Sequence, residues 1–228
     1  MIAATDIHVC LPAYNEASVL PGVVADLRAA GYPHVCIIDD GSDDETAELL
    51  PTLGVAFATH LINRGAGAAV QTAIELARRE AWSYVLFMDA DGQHVPTDIR
   101  LMADRMSASG ADLVVGSRFL ETDDHIPRSR RGYNFIANRM TNLFCKGRYS
   151  DSQSGLRLLG PRAIARLNLE VDGFGFCSEM LLKAERAELT IAETATQVRY
   201  TDYSKSKGQD FQMAFRTAFG FLWNIWVR

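Results

Sequence analysis

The sequence predicts an α/β protein in which helices flank a mostly parallel sheet. Three observations carry this expectation. Through the first half, short apolar runs alternate with longer amphipathic stretches, the pattern of successive βα units. The residues just after those runs are dense in Asp, Asn and Gly, which is where such sheets bind ligands. Apolar residues make up 48% and charged residues 22% of 228, enough for one sizeable folded core and too little charge for disorder.

In chain order, strands are expected at Ile7–Leu11, Val35–Asp39, Val55–Thr59, Tyr84–Met88 and Asp112–Ser117. Helices are expected between them at Glu16–Ala30, Asp43–Leu50, Ala66–Glu80 and Pro96–Ser107. Pro12 ends the first strand, Asn15 can cap the helix after it, and Ser42 or Asp43 the next. The second half is less regular. A polar loop (Phe119–Gly132) precedes a helix (Tyr133–Phe144), a strand (Ser154–Leu159), a short helix (Pro161–Leu167), a helix (Ser178–Glu188) and a strand (Ile191–Val198). A polar loop at Thr201–Asp210 leads to an aromatic-rich helix from Phe211.

The net charge of −5 gives no sign of broad nucleic-acid binding. Its distribution is more informative. Arg128, Arg130, Arg131, Arg139, Lys146 and Arg148 fall in a stretch without Asp or Glu. Such a segment is either a site for an anionic ligand or a solvated basic face. Cys10, Cys36, Cys145 and Cys177 form no metal or disulfide spacing, so a reducing cytosolic setting is expected. No signal peptide and no run of ~20 apolar residues is recognisable.

The chemistry is concentrated after the strands. Tyr84-Val85-Leu86-Phe87 delivers Asp89 and Asp91 to one turn, and Gly92 lets the backbone bend behind them. Two hard carboxylates there suit a divalent cation that also holds phosphates; the alternative is a polar turn whose Asp side chains cap backbone amides. After the first strand, Tyr14 offers a ring for a nucleobase and Glu16 a carboxylate for base or ribose. After the second, Asp39 and Asp40 begin a run with more carboxylates than a helix cap needs. After the third, Asn63 to Gly67 opens a helix whose amides can face phosphate, though no Walker lysine follows.

Together these strand ends resemble the nucleotide-sugar half of family 2 glycosyltransferases. The matching motifs are Leu11 to Glu16, Asp39-Asp40-Gly41-Ser42, Asn63 to Gly67 and Asp89 to His94. Gly116 to Phe119, Asp151 to Arg157 and Arg199 to Gly208 also match. Within the family the chain looks most like the branch of dolichyl-phosphate mannosyltransferase and bacterial polyprenyl-phosphate glycosyltransferases. The resemblance implies a GT-A fold with a Rossmann-like sheet, a nucleoside-diphosphate-sugar donor and Mg²⁺ or Mn²⁺. It places Pro12, Ala13, Tyr14, Glu16, Asp39, Asp40 and Gly41 around the nucleotide with Asn63 and Gly67. Asp89 is implied to bridge nucleotide and metal, with Asp91 and Gln93 as further ligands and His94 fixing the turn. Residues 1–118 would form the donor half, 119–210 the acceptor half, and 211–228 an amphipathic or interfacial helix.

Charge developing on a departing diphosphate needs cations, and Arg118, Arg199 and Lys205 sit in the right motifs to supply them. Arg131, Ser154, Glu179, Ser204 and Lys207 are weaker candidates for acceptor or phosphate contacts. Arg157 is expected to hold the Ser154-Gly155 turn. Many hydroxyl-using relatives carry Glu-Asp where this chain has Glu179-Met180. A phosphate acceptor is already anionic and needs no base, so inverting transfer to a polyprenyl phosphate is the expected reaction. Asp202 stands where that branch often has Gly, so the acceptor is less fixed than the donor. The competing readings are transfer to a glycan hydroxyl, with Glu179 as base, and an inactive nucleotide-binding scaffold. A nucleotidyltransferase would want a Lys-bearing glycine loop after the first strand, which is absent. The expected setting is the cytoplasmic face of a membrane, reached through the tail or through a membrane partner protein.

Overall fold

The computed structural model describes residues 1–120 and 128–198. In chain order the elements are β1 (Ile7–Ala13), α1 (Leu20–Ala29), β2 (Val35–Asp39), α2 (Thr46–Leu49), β3 (Ala56–Thr59), α3 (Ala66–Arg79) and β4 (Tyr84–Phe87). There follow α4 (Thr97–Ser109), β5 (Leu113–Ser117), α5 (Arg128–Phe144), β6 (Arg157–Leu159), α6 (Pro161–Arg166), α7 (Phe176–Arg186) and β7 (Ile191–Ala195). The strands form one seven-stranded sheet in the order β3-β2-β1-β4-β6-β5-β7. Every pairing is parallel except those of β6, which runs antiparallel to β4 and β5.

Side-chain alternation along the strands feeds a core on each face of the sheet. Ile7, Val9, Leu11 and Ala13 pack with Leu20, Val24 and Leu27 of α1 and Ile99, Met102 and Met106 of α4. Cys10, Ile38 and Phe87 pack on the other face. Their partners Ala69, Val70, Ala73, Ile74 and Ala77 recur at helical spacing along α3, joined by Met180, Leu181 and Ala184 of α7. Each fully buried Leu or Ile contributes about 1.5–3 kcal/mol, and a one-residue slip would turn every strand inside out. That locks the register, and the register fixes which residues leave the strand ends together.

Among the described residues the expected elements are present, with shifted boundaries that have local causes. α1 begins at Leu20 rather than Glu16, with Pro21 in its first turn, where the missing N–H costs nothing. The N-cap of α1 is Val19, and the Asn15 Oδ1 accepts the Asp43 and Asp44 amides at 2.8 and 3.3 Å, tying the β1 loop to the β2 loop. α2 shrinks to Thr46–Leu49, and its first amide goes to Asp44 Oδ1 at 2.9 Å rather than to Ser42 or Asp43. α5 starts at Arg128, not Tyr133, drawing part of the expected polar loop into helix. Among the described residues no helix is long and apolar enough to cross a membrane.

Candidate active site

The site gathers along one edge of the sheet, where β1, β2, β4 and β5 end. The β1 and β2 loops are laced together by hydrogen bonds. The Asn15 amide donates to Ser42 Oγ at 2.9 Å and the Glu16 amide to Thr46 Oγ1 at 3.0 Å. Asn15 takes a left-handed conformation (φ 56°) at this crossing. Pro12 is half-buried and Ala13 buried at the end of β1. Tyr14 is 38% exposed, and its hydroxyl donates to Asp43 Oδ2 at 2.9 Å. That hydrogen bond is the main reason the Tyr14 hydroxyl titrates above its usual range.

Asp39 and Asp40, adjacent in sequence, do different things. Asp39 is fully buried; its Oδ1 accepts from the Ser42 amide at 3.1 Å and from the Ser42 hydroxyl, while Oδ2 has no partner among the described residues. An unpaired buried carboxylate oxygen is costly and suits a ligand N–H or O–H. Asp40 instead accepts from the Arg64 and Gly65 amides and contacts His60 Nδ1 at 2.7 Å, so its carboxylate holds the β3–α3 loop. Gly41 serves close approach: a Cβ there would lie 2.6 Å from the Ile62 carbonyl carbon and 2.8 Å from the Asn63 nitrogen, and its φ is +71°. Asn63 thus lies against the Asp39–Gly41 turn with its side chain exposed.

The start of α3 is partly covered by protein backbone. The Ala68 amide donates to the Asp172 carbonyl at 3.1 Å. A Cβ on Gly67 would lie 2.0 Å from the Val171 carbonyl oxygen. The small residues at this helix start accommodate protein backbone from 171–173. Sequence spacing could not reveal this, because the two segments are about a hundred residues apart.

Past β4, Asp89 projects into the open site with its side chain 57% exposed, and buried His94 Nε2 lies 3.2 Å from its Oδ2. Desolvation would raise the Asp89 carboxyl, but the His94 contact and the charges of His94, Arg118 and Arg157 outweigh it and hold it below its ordinary value. Asp91 is pushed the other way, up to about 6, by burial and then by the Asp89 charge, with Glu16 adding to the push. Gln93 braces this carboxylate, its backbone amide to Oδ1 at 3.0 Å and its side-chain amide to Oδ2. Two like charges crowded at one strand end, with Gln93 beside them, fit a hard divalent cation. Among the described residues no three His, Cys, Asp or Glu side chains form a closed cage.

Arg118, just past β5, is gripped by Asp151, a fully buried carboxylate that its role in the motif did not reveal. Nε and Nη2 of Arg118 donate to the two oxygens at 2.6 and 2.8 Å, and its amide adds a third bond at 3.1 Å. Ser154 is buried in the same loop, its hydroxyl taking the Leu156 amide at 3.3 Å, so it serves the turn. Arg157 holds that turn as expected, donating to the Ser152 and Ser154 carbonyls. Glu179 is neither exposed nor poised as a base. It is buried, accepting the Glu170 and Val171 amides at 2.8 and 3.0 Å and pairing with Lys183 at 2.9 Å. Arg131 falls in the first turns of α5. Arg199, Ser204, Lys205, Lys207 and the tail from 211 lie outside the described residues, although Val198 bridges to His94 and so brings the chain to the rim of the site.

This sheet order, with chemistry gathered at one edge, is the GT-A glycosyltransferase fold. The chain superposes on glucosyl-3-phosphoglycerate synthase from Mycobacterium tuberculosis, solved with Mn²⁺, UDP-glucose and phosphoglyceric acid. The TM-score is 0.70 over 95% of this chain and 78% of that one, at 17% identity, a likeness of fold. Residues 8–164 match the model of glycosyl transferase family 2, and the chain belongs to that family. An uncharacterised protein of Methanocaldococcus jannaschii is 32% identical over 218 residues, covering 94% of this chain and 90% of that protein. The UDP-N-acetylglucosamine–dolichyl-phosphate N-acetylglucosaminyltransferase of Methanococcus voltae is 29% identical, covering 95% and 94%. The polyprenol monophosphomannose synthase of Mycolicibacterium smegmatis is 31% identical, covering 75% and 68%.

Proposed function

We propose that this glycosyltransferase moves a sugar from a nucleoside-diphosphate sugar to a polyprenyl phosphate, dolichyl or undecaprenyl in type, inverting the anomeric carbon. The observation that carries the reading is the Asp89–Asp91 pair facing the same edge as the unpaired buried Asp39 oxygen. In this reading residues 1–118 are the donor half and 119–210 the acceptor half. Asp39 accepts from the nucleobase or ribose, and the Tyr14 ring covers the base. Asp89, Asp91 and Gln93 would hold Mg²⁺ or Mn²⁺, whose contribution is Lewis-acid stabilisation of the diphosphate. Arg118, kept rigid by Asp151, adds fixed positive potential, with Arg199 and Lys205 as further cations.

Two features support a phosphate acceptor over a hydroxyl. Glu179, the candidate base, has both oxygens engaged by backbone amides and Lys183, so it is badly placed to take a proton. Phe135, Ile136 and Leu143 of α5 are 64%, 49% and 78% exposed, beside exposed Arg139, Lys146 and Arg148. An exposed apolar face that includes Arg139 and is followed by Lys146 and Arg148 suits the surface of an anionic bilayer, from which a lipid phosphate would be drawn. The enzyme would then work peripherally on the membrane.

The test is to incubate the protein with a panel of nucleotide sugars, Mg²⁺ or Mn²⁺, and short polyprenyl phosphates or the matching alcohols. Sugar should appear on the phosphate alone, and only with the divalent ion. Transfer to the alcohol but never to the phosphate would overturn the acceptor assignment.

A further inference from the structure

β6 pairs Arg157 with Phe87 on one side and with Val115 on the other. Carried two residues beyond the strand ends, that antiparallel register sets Gly155 between Asp89 and Ser117. The approach is close. A Cβ on Gly155 would lie 2.6 Å from Asp89 Oδ1, 2.9 Å from Oδ2 and 3.1 Å from Cγ. Gly155 is not among the glycines with positive φ, so its backbone is open to other residues and only the space is special. Nothing but hydrogen fits between this turn and the carboxylate.

The turn itself is rigid. Arg157 is fully buried beneath it, with Nε donating to the Ser154 carbonyl at 2.9 Å and Nη2 to the Ser152 carbonyl at 2.8 Å. Ser152 is anchored by its amide and hydroxyl to Asn138 Oδ1 at 2.8 and 2.7 Å. The third guanidinium nitrogen, Nη1, has no partner among the described residues. Burying a guanidinium with one nitrogen unpaired is an expensive way to hold a turn, unless the place it holds matters.

We infer that Gly155 and Arg157 are positioning residues for the metal-binding carboxylate: the absent side chain of Gly155 makes the seat in which Asp89 is oriented, and Arg157 fixes that seat. The inference rests on the metal assignment of Asp89 and Asp91 and adds what aims the first of them. The atoms that would collide belong to the tip of the Asp89 side chain, which can rotate away, so Gly155→Ala should displace the carboxylate while leaving the fold intact.

The experiment measures Mn²⁺ affinity of the full chain without donor, by calorimetry or by the electron paramagnetic resonance of free Mn²⁺, together with the Tm in metal-free buffer. Gly155→Ala should weaken Mn²⁺ at least about tenfold, in the range expected for losing the support of a metal ligand, with Tm within about 2 °C of wild type. Arg157→Lys keeps the charge but reaches fewer carbonyls, and should weaken Mn²⁺ severalfold. Asp89→Ala is the reference and should lose the Mn²⁺ binding that the wild type shows. If Asp89→Ala loses Mn²⁺ while Gly155→Ala binds as wild type, the seat is refuted and the metal assignment stands. If Asp89→Ala itself binds normally, the metal assignment fails and takes the seat with it. A Gly155→Ala protein whose Tm falls by many degrees along with its affinity would show a fold contact instead, and would also overturn the inference.

Discussion

Asp91 carries an electrostatic cost that a bound cation would relieve. With its carboxyl pushed up to about 6, the folded protein holds more protons than the unfolded chain between the ordinary carboxylate range and that value. Stability therefore falls as pH rises through this window and stays lower above it. Asp91→Asn should raise the metal-free Tm at pH 7 by about 2–4 °C while weakening Mn²⁺, a split that thermal denaturation and calorimetry read separately. For the wild type, Mn²⁺ affinity should be nearly flat above pH 6 and drop about tenfold per unit below it, because the proton and the cation compete for one carboxylate. Asp89 and Asp91 were recognisable in the sequence as a pair on one turn. Their opposite shifts were not, because these depend on burial and on Arg118, Arg157 and Glu16 brought in from separate segments.

Among the elements, α3 and α7 show how a helix end is closed by a distant loop. Glu179 of α7 binds the Glu170 and Val171 amides, and the same loop places the Val171 and Asp172 carbonyls on the start of α3. Glu179→Ala strands both amides, leaving Lys183 to Glu170 and the Asn168 carbonyl, and should cost about 2–4 kcal/mol in urea denaturation. Glu179→Gln keeps one acceptor; in a soluble, folded preparation it should retain most of kcat and an unchanged pH profile, unlike a lost general base. The glycines give a paired test. Gly67→Ala meets backbone that cannot move cheaply and should cost more than about 2 kcal/mol. Gly22→Ala in α1 meets nothing within 4 Å and should gain about 0.5–1 kcal/mol by helix propensity. Both are glycines inside helices, and their sequence neighbourhoods do not tell them apart. Tertiary contact does.

For the molecule as a whole, the proposed lipid-phosphate acceptor makes the exposed face of α5 a contact that can be tested. Phe135→Ser with Leu143→Ser removes two side chains worth about 1–2 kcal/mol each in apolar burial, so binding to anionic vesicles in a flotation assay should fall at least about tenfold. Raising salt should weaken the wild type through Arg139, Lys146 and Arg148. The periodic signals in the chain were sufficient to place all seven strands and the principal helices, since a run of apolar residues bounded by turn residues has few local alternatives. They also singled out the strand ends as the place for chemistry, because a parallel sheet exposes functional residues there and little else. The order β4-β6-β5, with β6 reversed, came only from packing. That order sets Gly155 against Asp89 and Asp151 on Arg118. Local sequence determined which chemical groups the protein owns. Long-range pairing, whose free energy comes from burial across the whole sheet, decided which of those groups face the substrate and which hold the others in place.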